Sequence, residues 1–153
     1  MAAPDPPTFL ALRAVAIDYA AGLDRRDAER FVAAFHDDGQ LRIHHPASSP
    51  EPQSVRRGHA ELAQVTEVIQ RYEQTCHFLG QSSFDVVDDE ASGETYCTAH
   101  HLAAGPHGGE TYVMHIRYEE HLRRGDDGIW RFVDRAVLID WTDRHLAGVV
   151  GQL

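Results

Sequence analysis

The chain has 153 residues, 42% of them hydrophobic, and a formal net charge of −10. This length suits one domain that buries roughly 70% of its unfolded surface, so it needs no disulfide or metal to fold. All 14 basic residues are arginine, and an acidic chain without a basic run is a poor partner for nucleic acid or an anionic membrane. No segment approaches the ~20 apolar residues of a membrane span.

The two cysteines and the first residues bear on the cellular compartment. Cys76 and Cys97 stand far apart, and neither belongs to a CxxC pair. We interpret both as reduced, partly buried thiols, as is usual in a reducing compartment. The stretch MAAPDPPTFL lacks the basic start and the apolar run of a signal peptide. The sequence therefore predicts a cytoplasmic protein.

The chain begins with a Pro-rich segment and a predicted helix. Residues 1–7 form a leader that we expect to be disordered, and residues 8–153 form a single domain. Thr8 is a suitable cap for a helix that starts at Phe9. The apolar residues of this helix recur at spacings of three and four, which is the period of an amphipathic helix. They are Leu12, Val15, Ala16, Tyr19, Ala20 and Leu23.

Two further helices and a strand are predicted before residue 74. A second helix starts after Asp27, which can cap it. The stretch QLRIHH alternates apolar and polar residues and predicts a strand, whereas PASSPEPQSVRRG predicts a loop. A third helix runs from about His59 to Glu73, with its apolar residues on one stripe.

Long alternating runs fill the second half of the chain. They are Thr75–Val87, Glu94–Ala104, Glu110–Arg123 and Ile129–Trp141. Short turns between long strands predict an antiparallel meander. We therefore predict an α+β fold, a cone-shaped α+β barrel with three N-terminal helices packed on a curved, mainly antiparallel β-sheet that encloses a pocket. An apolar pocket of this kind is the default site for a small molecule.

Strand alternation assigns some side chains to the two faces of this sheet. In the third run, Tyr112, Met114, Ile116 and Tyr118 form the apolar, inward face. Alternation puts Arg135, Val137, Ile139 and Trp141 on one face of the last run, and Trp130, Phe132 and Leu138 on the other. Both sets are largely apolar, so we expect an oligomer interface behind the sheet. In the second run, alternation leaves open whether His100 or His101 points inward.

An acid at a helix end suggests a catalytic pair. Asp24 follows the last turn of the first helix, where the partial negative charge of the helix end disfavours it, so it needs a partner. A histidine on the sheet would serve, because a carboxylate bonded to one imidazole nitrogen fixes the tautomer and makes the other nitrogen a better base. His77 is one of many histidines that fit, and the residues alone do not choose among them.

Three stretches resemble the SnoaL-like family of the nuclear transport factor 2-like superfamily. AIDYAAGLDRRDAERFVAAFHDDGQLRI resembles the family's opening, TCHFLG its T-x-H-F-x-G strand start, and RYEEHLRRGDDGIWRFVDRAV its final hairpin. The resemblance covers about residues 8–142 and implies the same fold. Within the superfamily, the chain is most similar to scytalone dehydratase and the bile-acid dehydratases.

The resemblance implies roles for particular residues. In those enzymes an Asp at the LD position orients a His at the HF position, and these positions match Asp24 and His77. Their second active-site histidine matches His100 in the stretch AHHL, and their helix tyrosine matches Tyr19. The inward arginine of their last strand matches Arg135. We therefore expect His77, Asp24, Tyr19 and His100 to be catalytic.

The sequence also departs from scytalone dehydratase. Leu23 stands where that enzyme has a tyrosine before the Asp, and His45 stands where it has a tyrosine in the first strand. Its inward Ser and Asn fall near Ile116 and Tyr118. The tyrosine pair that holds water is therefore absent, and we expect a substrate other than scytalone. The expected substrate-binding residues are His45, Tyr118, Arg135, Ile116 and Met114.

Two classes of function fit these residues. The first is a cofactor-independent dehydratase, isomerase or cyclase, in which His77 removes a proton next to a carbonyl of a hydrophobic, mostly uncharged cyclic or polyketide/steroid-like molecule. The alternative is a non-catalytic ligand-binding protein or the small subunit of a ring-hydroxylating oxygenase. The expected partners are this small molecule and further copies of the chain, as a dimer or trimer, with no nucleic acid and no membrane.

The 11 histidines raise the question of a metal site. Adjacent residues of a strand point to opposite faces, so the doublets 44–45 and 100–101 offer one ligand to each face. No H-x-H or HExxH spacing is present in the sequence. We therefore expect neither a metal nor another cofactor.

Overall fold

Three helices pack on one curved sheet of six strands in the computed structural model, which describes residues 3–105 and 109–147. The helices are α1 (Pro6–Arg25), α2 (Ala28–Ala33) and α3 (Gly58–Ile69). The strands are β1 (Phe35–His44), β2 (Ser54–Arg57), β3 (Gln74–Val87), β4 (Glu90–Ala103), β5 (Glu110–Arg124) and β6 (Trp130–Leu146). This arrangement confirms the predicted fold class. Residues 1 and 2 of the predicted leader, and 106–108 of a predicted turn, lie outside the described residues.

Helix α1 begins before the predicted start. Asp5, and not Thr8, is its cap, because the Asp5 carboxylate accepts a hydrogen bond of 2.8 Å from the Thr8 N–H. Pro6 and Pro7 occupy the first helical positions, where a missing N–H costs no helical hydrogen bond. The helix therefore includes two residues of the segment assigned to the leader. At the other end, Arg26 adopts a left-handed φ of 56° and ends the helix.

Helix α2 packs closely against the end of α1. Asp27 caps it as predicted and accepts from the Arg30 N–H at 3.0 Å. A Cβ atom at Gly22 would lie 2.7 Å from the backbone nitrogen of Phe31, so this approach requires glycine. The tight corner between the two helices fixes the position of the last turn of α1, which contains Asp24.

The sheet has the strand order β2-β1-β6-β5-β4-β3. All neighbouring strands are antiparallel except β1 and β6, which are parallel. Strand β1 begins at Phe35 and not at Gln40, and β2 lies within the predicted loop. Strand β3 forms one edge of the sheet, and α1 packs against it. The first helix and the edge strand therefore meet along one side of the molecule.

Two β-bulges in β6 reverse the predicted faces of its side chains. Asp140 is an extra residue, because its two neighbours pair with consecutive residues of β5. Trp141 is thereby turned to the outer face, where its ring stacks on His115 at a centroid distance of 4.3 Å. The prediction that Trp141 shares a face with Arg135 is wrong, since an extra residue reverses the alternation. A second bulge brings Phe132 to the inner face, beside Arg135.

The hydrophobic core fills the space between the helices and the inner face of the sheet. Its fully buried members include Leu12, Phe31, Phe35, Leu41, Leu62, Leu122 and Phe132. Each such side chain stabilises the fold by about 1.5–3 kcal/mol relative to an exposed one. Within residues 3–105 and 109–147, no helix is long and apolar enough to cross a membrane.

Candidate active site

Asp24 and His77 form a hydrogen-bonded pair where α1 meets β3. Nδ1 of His77 lies 2.7 Å from Oδ1 of Asp24, and the backbone N–H of His77 donates to Oδ2 at 2.9 Å. The hydroxyl of Thr75 donates a third bond of 2.9 Å to Oδ1. An ionised carboxylate only accepts, so Nδ1 carries the hydrogen and Nε2 of a neutral His77 is the basic nitrogen.

Local structure explains how α1 and β3 bring these residues together. Just after α1 ends, Arg26 reaches the connection between α3 and β3, where its Nη2 donates to the carbonyl oxygens of Tyr72 and Glu73. The end of the helix is therefore fastened to the start of the strand. Thr75 and His77 are two residues apart on β3, so both side chains point to the same side, toward Asp24.

The environment of Asp24 keeps it ionised. Burial alone would raise the pKa of this carboxyl, but the hydrogen bonds and charge of His77 and the hydroxyl of Thr75 outweigh burial and lower the pKa. These partners also offset the unfavourable field at the end of α1. The His77 side chain is only 5% exposed. A shielded imidazole fixed by an ionised carboxylate is suited to accept a proton from a bound molecule.

The second histidine of the site is His101, and the assignment of His100 to it is wrong. His101 pairs with Thr75 and is 4% exposed, whereas His100 is exposed on the outer face of β4. The rings of His101 and His77 meet edge to face, with centroids 5.7 Å apart. Neighbouring residues of a strand point to opposite faces. Matching AHHL to the family's strand one position out of register therefore selects the outward histidine instead of the inward one.

His101 is kept neutral by its surroundings. Burial, followed by the charge of His77, lowers the pKa of His101 to about 4. Its Nδ1 lies 3.3 Å from the carbonyl oxygen of Tyr112, and its ring packs against that of Tyr72 with centroids 4.8 Å apart. At neutral pH, His101 is therefore an uncharged neighbour of the Asp24–His77 pair.

Tyr19, Tyr118 and Arg135 lie together in the core. The Arg135 guanidinium lies between the two tyrosine rings, 3.9 Å from the centroid of Tyr19 and 3.8 Å from that of Tyr118. Burial raises the pKa of Tyr19 to about 12 and that of Tyr118 well above its usual value, so both hydroxyls stay protonated. The chain thus brings three of the predicted site residues into one buried cluster.

Glu120 is a member of this cluster that the sequence analysis missed. Its Oε1 lies 2.8 Å from Nη2 of Arg135, both side chains are fully buried, and its Oε2 accepts from the Thr95 hydroxyl at 3.0 Å. The contact with Arg135 lacks the alignment of a hydrogen bond, so within the described part of the chain the guanidinium nitrogens have no hydrogen-bond partner. The signal was present, because Glu120 continues the inward alternation of Tyr118 on β5.

The remaining predicted residues have different positions. Ile116 is buried in the core, and Met114 packs partly buried against it. His45 follows the end of β1 and is half-buried. Three strands separate β1 from β3 in the sheet, so His45 belongs to a part of the fold distant along the sheet from His77.

An open groove reaches the Asp24–His77 pair from the side of the molecule. This α1–β3 groove has a volume of about 440 Å³ and is lined from α1 by Arg13, Ile17, Ala20, Ala21, Asp24 and Arg25, and from β3 by His77, Phe78 and Leu79. The apolar side chains make most of its wall, with the dyad at one end. This combination is typical of a small-molecule site.

The positions of the His, Cys, Asp and Glu side chains bear on the predictions about metals and thiols. Within residues 3–105 and 109–147, no three His, Cys, Asp or Glu side chains are placed to hold one metal ion. Both cysteines are free thiols, as predicted, but the expectation that both are partly buried is wrong for Cys76, which is exposed on β3. Cys97 is buried, and burial raises its pKa to about 11.

A family comparison agrees with the fold. The model of the SnoaL-like domain matches residues 9–136, which is most of the chain. The chain belongs to the SnoaL-like family. The predicted family membership is therefore confirmed. A search of curated protein sequences finds no match to this SnoaL-like chain.

Several solved structures share the SnoaL-like fold of this chain. A candidate scytalone dehydratase from Novosphingobium aromaticivorans is 20% identical, with 95% of each chain covered and a TM-score of 0.77. A hexachlorocyclohexane dehydrochlorinase (LinA-type3) from Novosphingobium barchaimii is 18% identical, with 94% of this chain and 92% of that chain covered and a TM-score of 0.75. ActVI-ORFA from Streptomyces coelicolor is 22% identical, with 88% and 98% covered and a TM-score of 0.70. At these identities the likeness establishes the shared fold.

Proposed function

We propose that this SnoaL-like protein is a cofactor-independent acid/base enzyme, a dehydratase, isomerase or cyclase, acting on a small cyclic or polyketide/steroid-like molecule. The observation that carries the proposal is the 2.7 Å contact between Asp24 and His77, which leaves Nε2 of His77 as the base. Two of the similar proteins bear names of elimination enzymes, a candidate dehydratase and a dehydrochlorinase. Those names support elimination as the first reaction class to test.

In the proposed reaction, Nε2 of His77 removes a proton from the carbon next to a carbonyl group. The electron pair of the broken C–H bond forms the enolate. The enolate then expels a β-hydroxyl group, which takes the proton back from protonated His77 and leaves as water, so that His77 returns to its neutral form. In an isomerisation, the enolate is instead protonated at another carbon. Base catalysis of this type contributes about 10²–10⁴ to the rate.

The buried cluster of Tyr19, Tyr118 and Arg135 supplies candidate groups for the developing negative charge. Tyr19 and Tyr118 stay protonated at neutral pH, because burial raises both pKa values. Arg135 has guanidinium nitrogens without a hydrogen-bond partner in the described residues. Buried N–H groups of this kind are costly unless a ligand or water accepts from them. Donors aimed at a developing oxyanion contribute about 10²–10³ to the rate.

The direct test is proton exchange at the carbon next to a carbonyl. The purified protein is incubated in D₂O with a panel of cyclic ketones, including 1-tetralone, and loss of the α-proton signal is followed by NMR. We expect wild-type protein and His100→Gln to accelerate exchange on at least one ketone, and His77→Gln to lose this acceleration. Exchange that survives His77→Gln would contradict the proposed base. Ligand binding without any exchange would favour the non-catalytic binding protein instead.

We also propose that the protein acts as a homo-oligomer in the cytoplasm. Trp141 is 58% exposed and lies on the outer side of the sheet. Exposed aromatic side chains of this size favour a protein–protein contact. The cytoplasmic location has separate support, because two free cysteines agree with a reducing compartment. Sedimentation of Trp141→Arg against Ile129→Arg, an exposed residue on the β5–β6 turn, tests the interface: only the former should dissociate the oligomer.

A further inference from the structure

The α1–β3 groove is built from one stripe of the first helix and the edge of the sheet. Arg13, Ile17, Ala20 and Asp24 follow one another at spacings of four, three and four, so they lie on one face of α1. The groove therefore runs along the helix and ends at the dyad. A ligand lying in it would have one end near Arg13 and the other near His77.

The walls of the groove expose apolar side chains to the ligand space. Ile17 is 47% exposed on the helix side, and Phe78 is exposed on the strand side. The small side chains of Ala20 and Ala21 leave space between these two walls. An aliphatic side chain on the helix and an aromatic side chain on the edge strand favour a ligand with an apolar body.

The groove carries more positive than negative charge, although the chain as a whole is strongly acidic. Nη1 of Arg13 donates to the Ser82 hydroxyl, and its Nη2 donates to the carbonyl oxygen of Leu79 at 3.3 Å. Both acceptors are neutral. More than half of the arginines lie within 4.0 Å of a carboxylate, whereas Arg13 and Arg25 do not within residues 3–105 and 109–147. Arg13 is therefore a half-buried cation, held in place, with no carboxylate within 4.0 Å in the described part of the chain. Hydrogen bonds through Ser82 and Thr95 connect it to Glu120.

The one carboxylate of the groove does not neutralise this charge. Asp24 already accepts three hydrogen bonds, two from His77 and one from Thr75. Glu120, the buried acid on the inner face of the sheet, lies 2.8 Å from Arg135. Burial raises the pKa of Glu120, and among the charges that oppose this effect Arg135 outweighs Arg13. A local excess of positive charge in a protein of net charge −10 attracts and orients an anionic ligand.

We propose that the α1–β3 groove binds an apolar organic acid, whose carboxylate pairs with Arg13 and whose body packs between Ile17 and Phe78 beside His77. The chemical conversion of this acid rests on the proposed function, whereas its binding does not. This inference changes the expectation of an uncharged substrate to one with an acidic group. A guanidinium suits this task because its N–H groups match the two oxygens of a carboxylate.

A matched pair of probes tests the proposal without knowledge of the natural substrate. Naphthalene-1-acetate and naphthalene-1-acetamide have nearly the same shape and differ in charge. We expect the wild-type protein to bind the acid at least about tenfold more tightly than the amide in calorimetric titrations. Arg13→Gln should abolish this preference and Arg13→Lys should keep part of it, since lysine retains the charge. Arg124→Gln, which removes the same charge on another surface, should leave the preference unchanged.

A second measurement needs no variant and so does not depend on folding of Arg13→Gln. The Nε–H signal of Arg13, followed by NMR in the wild-type protein, should shift on titration with the acid and not with the amide. Equal binding of the two probes, no binding of either, or a preference that survives Arg13→Gln would overturn the proposal. If the acid binds through Arg13 but the protein shows no His77-dependent proton exchange, the proposed enzyme function is contradicted. The proposed binding site is then still supported.

Discussion

The imidazole rings of His77 and His101 meet edge to face, with their centroids 5.7 Å apart. The two histidines have opposite tasks in this arrangement. His77 is bonded to an ionised carboxylate, whereas His101 is bonded to a backbone carbonyl and is kept neutral by burial. A protonated His101 would place a like charge beside the imidazolium that forms on His77 in the proposed reaction. A neutral His101 therefore avoids this repulsion.

The burial of His101 predicts a specific loss of stability in acid. Its pKa in the folded protein is about 4, below the ordinary value of 6.5, so the unfolded chain binds the proton more readily between these values. The contribution is fully present above pH 6.5 and is lost as the pH falls toward 4, up to roughly 3 kcal/mol. The free energy of unfolding, measured with urea across this pH range, should decline less for His101→Asn than for the wild type. His100→Asn is the control, and its decline should equal that of the wild type.

Asp24→Asn should reduce proton exchange nearly as much as loss of His77, by roughly 10²–10⁴. An amide does not hold His77 in one tautomer with the strength of a carboxylate, and it does not stabilise the imidazolium that forms. The ketone exchange assay measures this loss, with circular dichroism to check the fold. Asp18→Asn, an α1 acid that pairs with Arg30, should retain wild-type exchange. A fully active Asp24→Asn protein would remove the carboxylate from the mechanism.

The sequence predicted the elements of the fold better than the faces of its strands. The period of the apolar residues in α1 and the long alternating runs identify helices and strands, since burial repeats locally along the chain. Asp24 and His77 are 53 residues apart and were paired only through the family resemblance. A single extra residue at Asp140 turns Trp141 outward. Such bulges depend on pairing with the neighbouring strand, so alternation within one strand does not reveal them.

The ion pair of Glu120 and Arg135 should couple strongly in a double-mutant cycle. Glu120→Gln leaves the Arg135 guanidinium buried without a carboxylate, and loss of one partner of a buried pair costs about 3–5 kcal/mol. Replacing both, as Glu120→Gln with Arg135→Met, should recover much of this stability, because no unpaired charge remains. Guanidinium chloride unfolding measures each free energy. Glu110→Gln, from the exposed pair with Arg144, should cost at most about 1 kcal/mol. Additive costs for Glu120 and Arg135 would contradict the coupling.

The two thiols should differ in reactivity because the sheet turns them to opposite environments. Cys76 is exposed on the edge strand, whereas Cys97 is 4% exposed on the inner face and its pKa is raised to about 11 by burial. The thiolate is the reactive form, so at pH 8 the native protein should react with one equivalent of a disulfide reagent through Cys76. Cys76→Ser should therefore be unreactive until it is unfolded in guanidinium chloride, and Cys97→Ser should react as fast as the wild type. Rapid labelling of native Cys76→Ser would show that the inner face near Tyr118 opens to solvent, and the packed cluster around Arg135 would then need to be reconsidered.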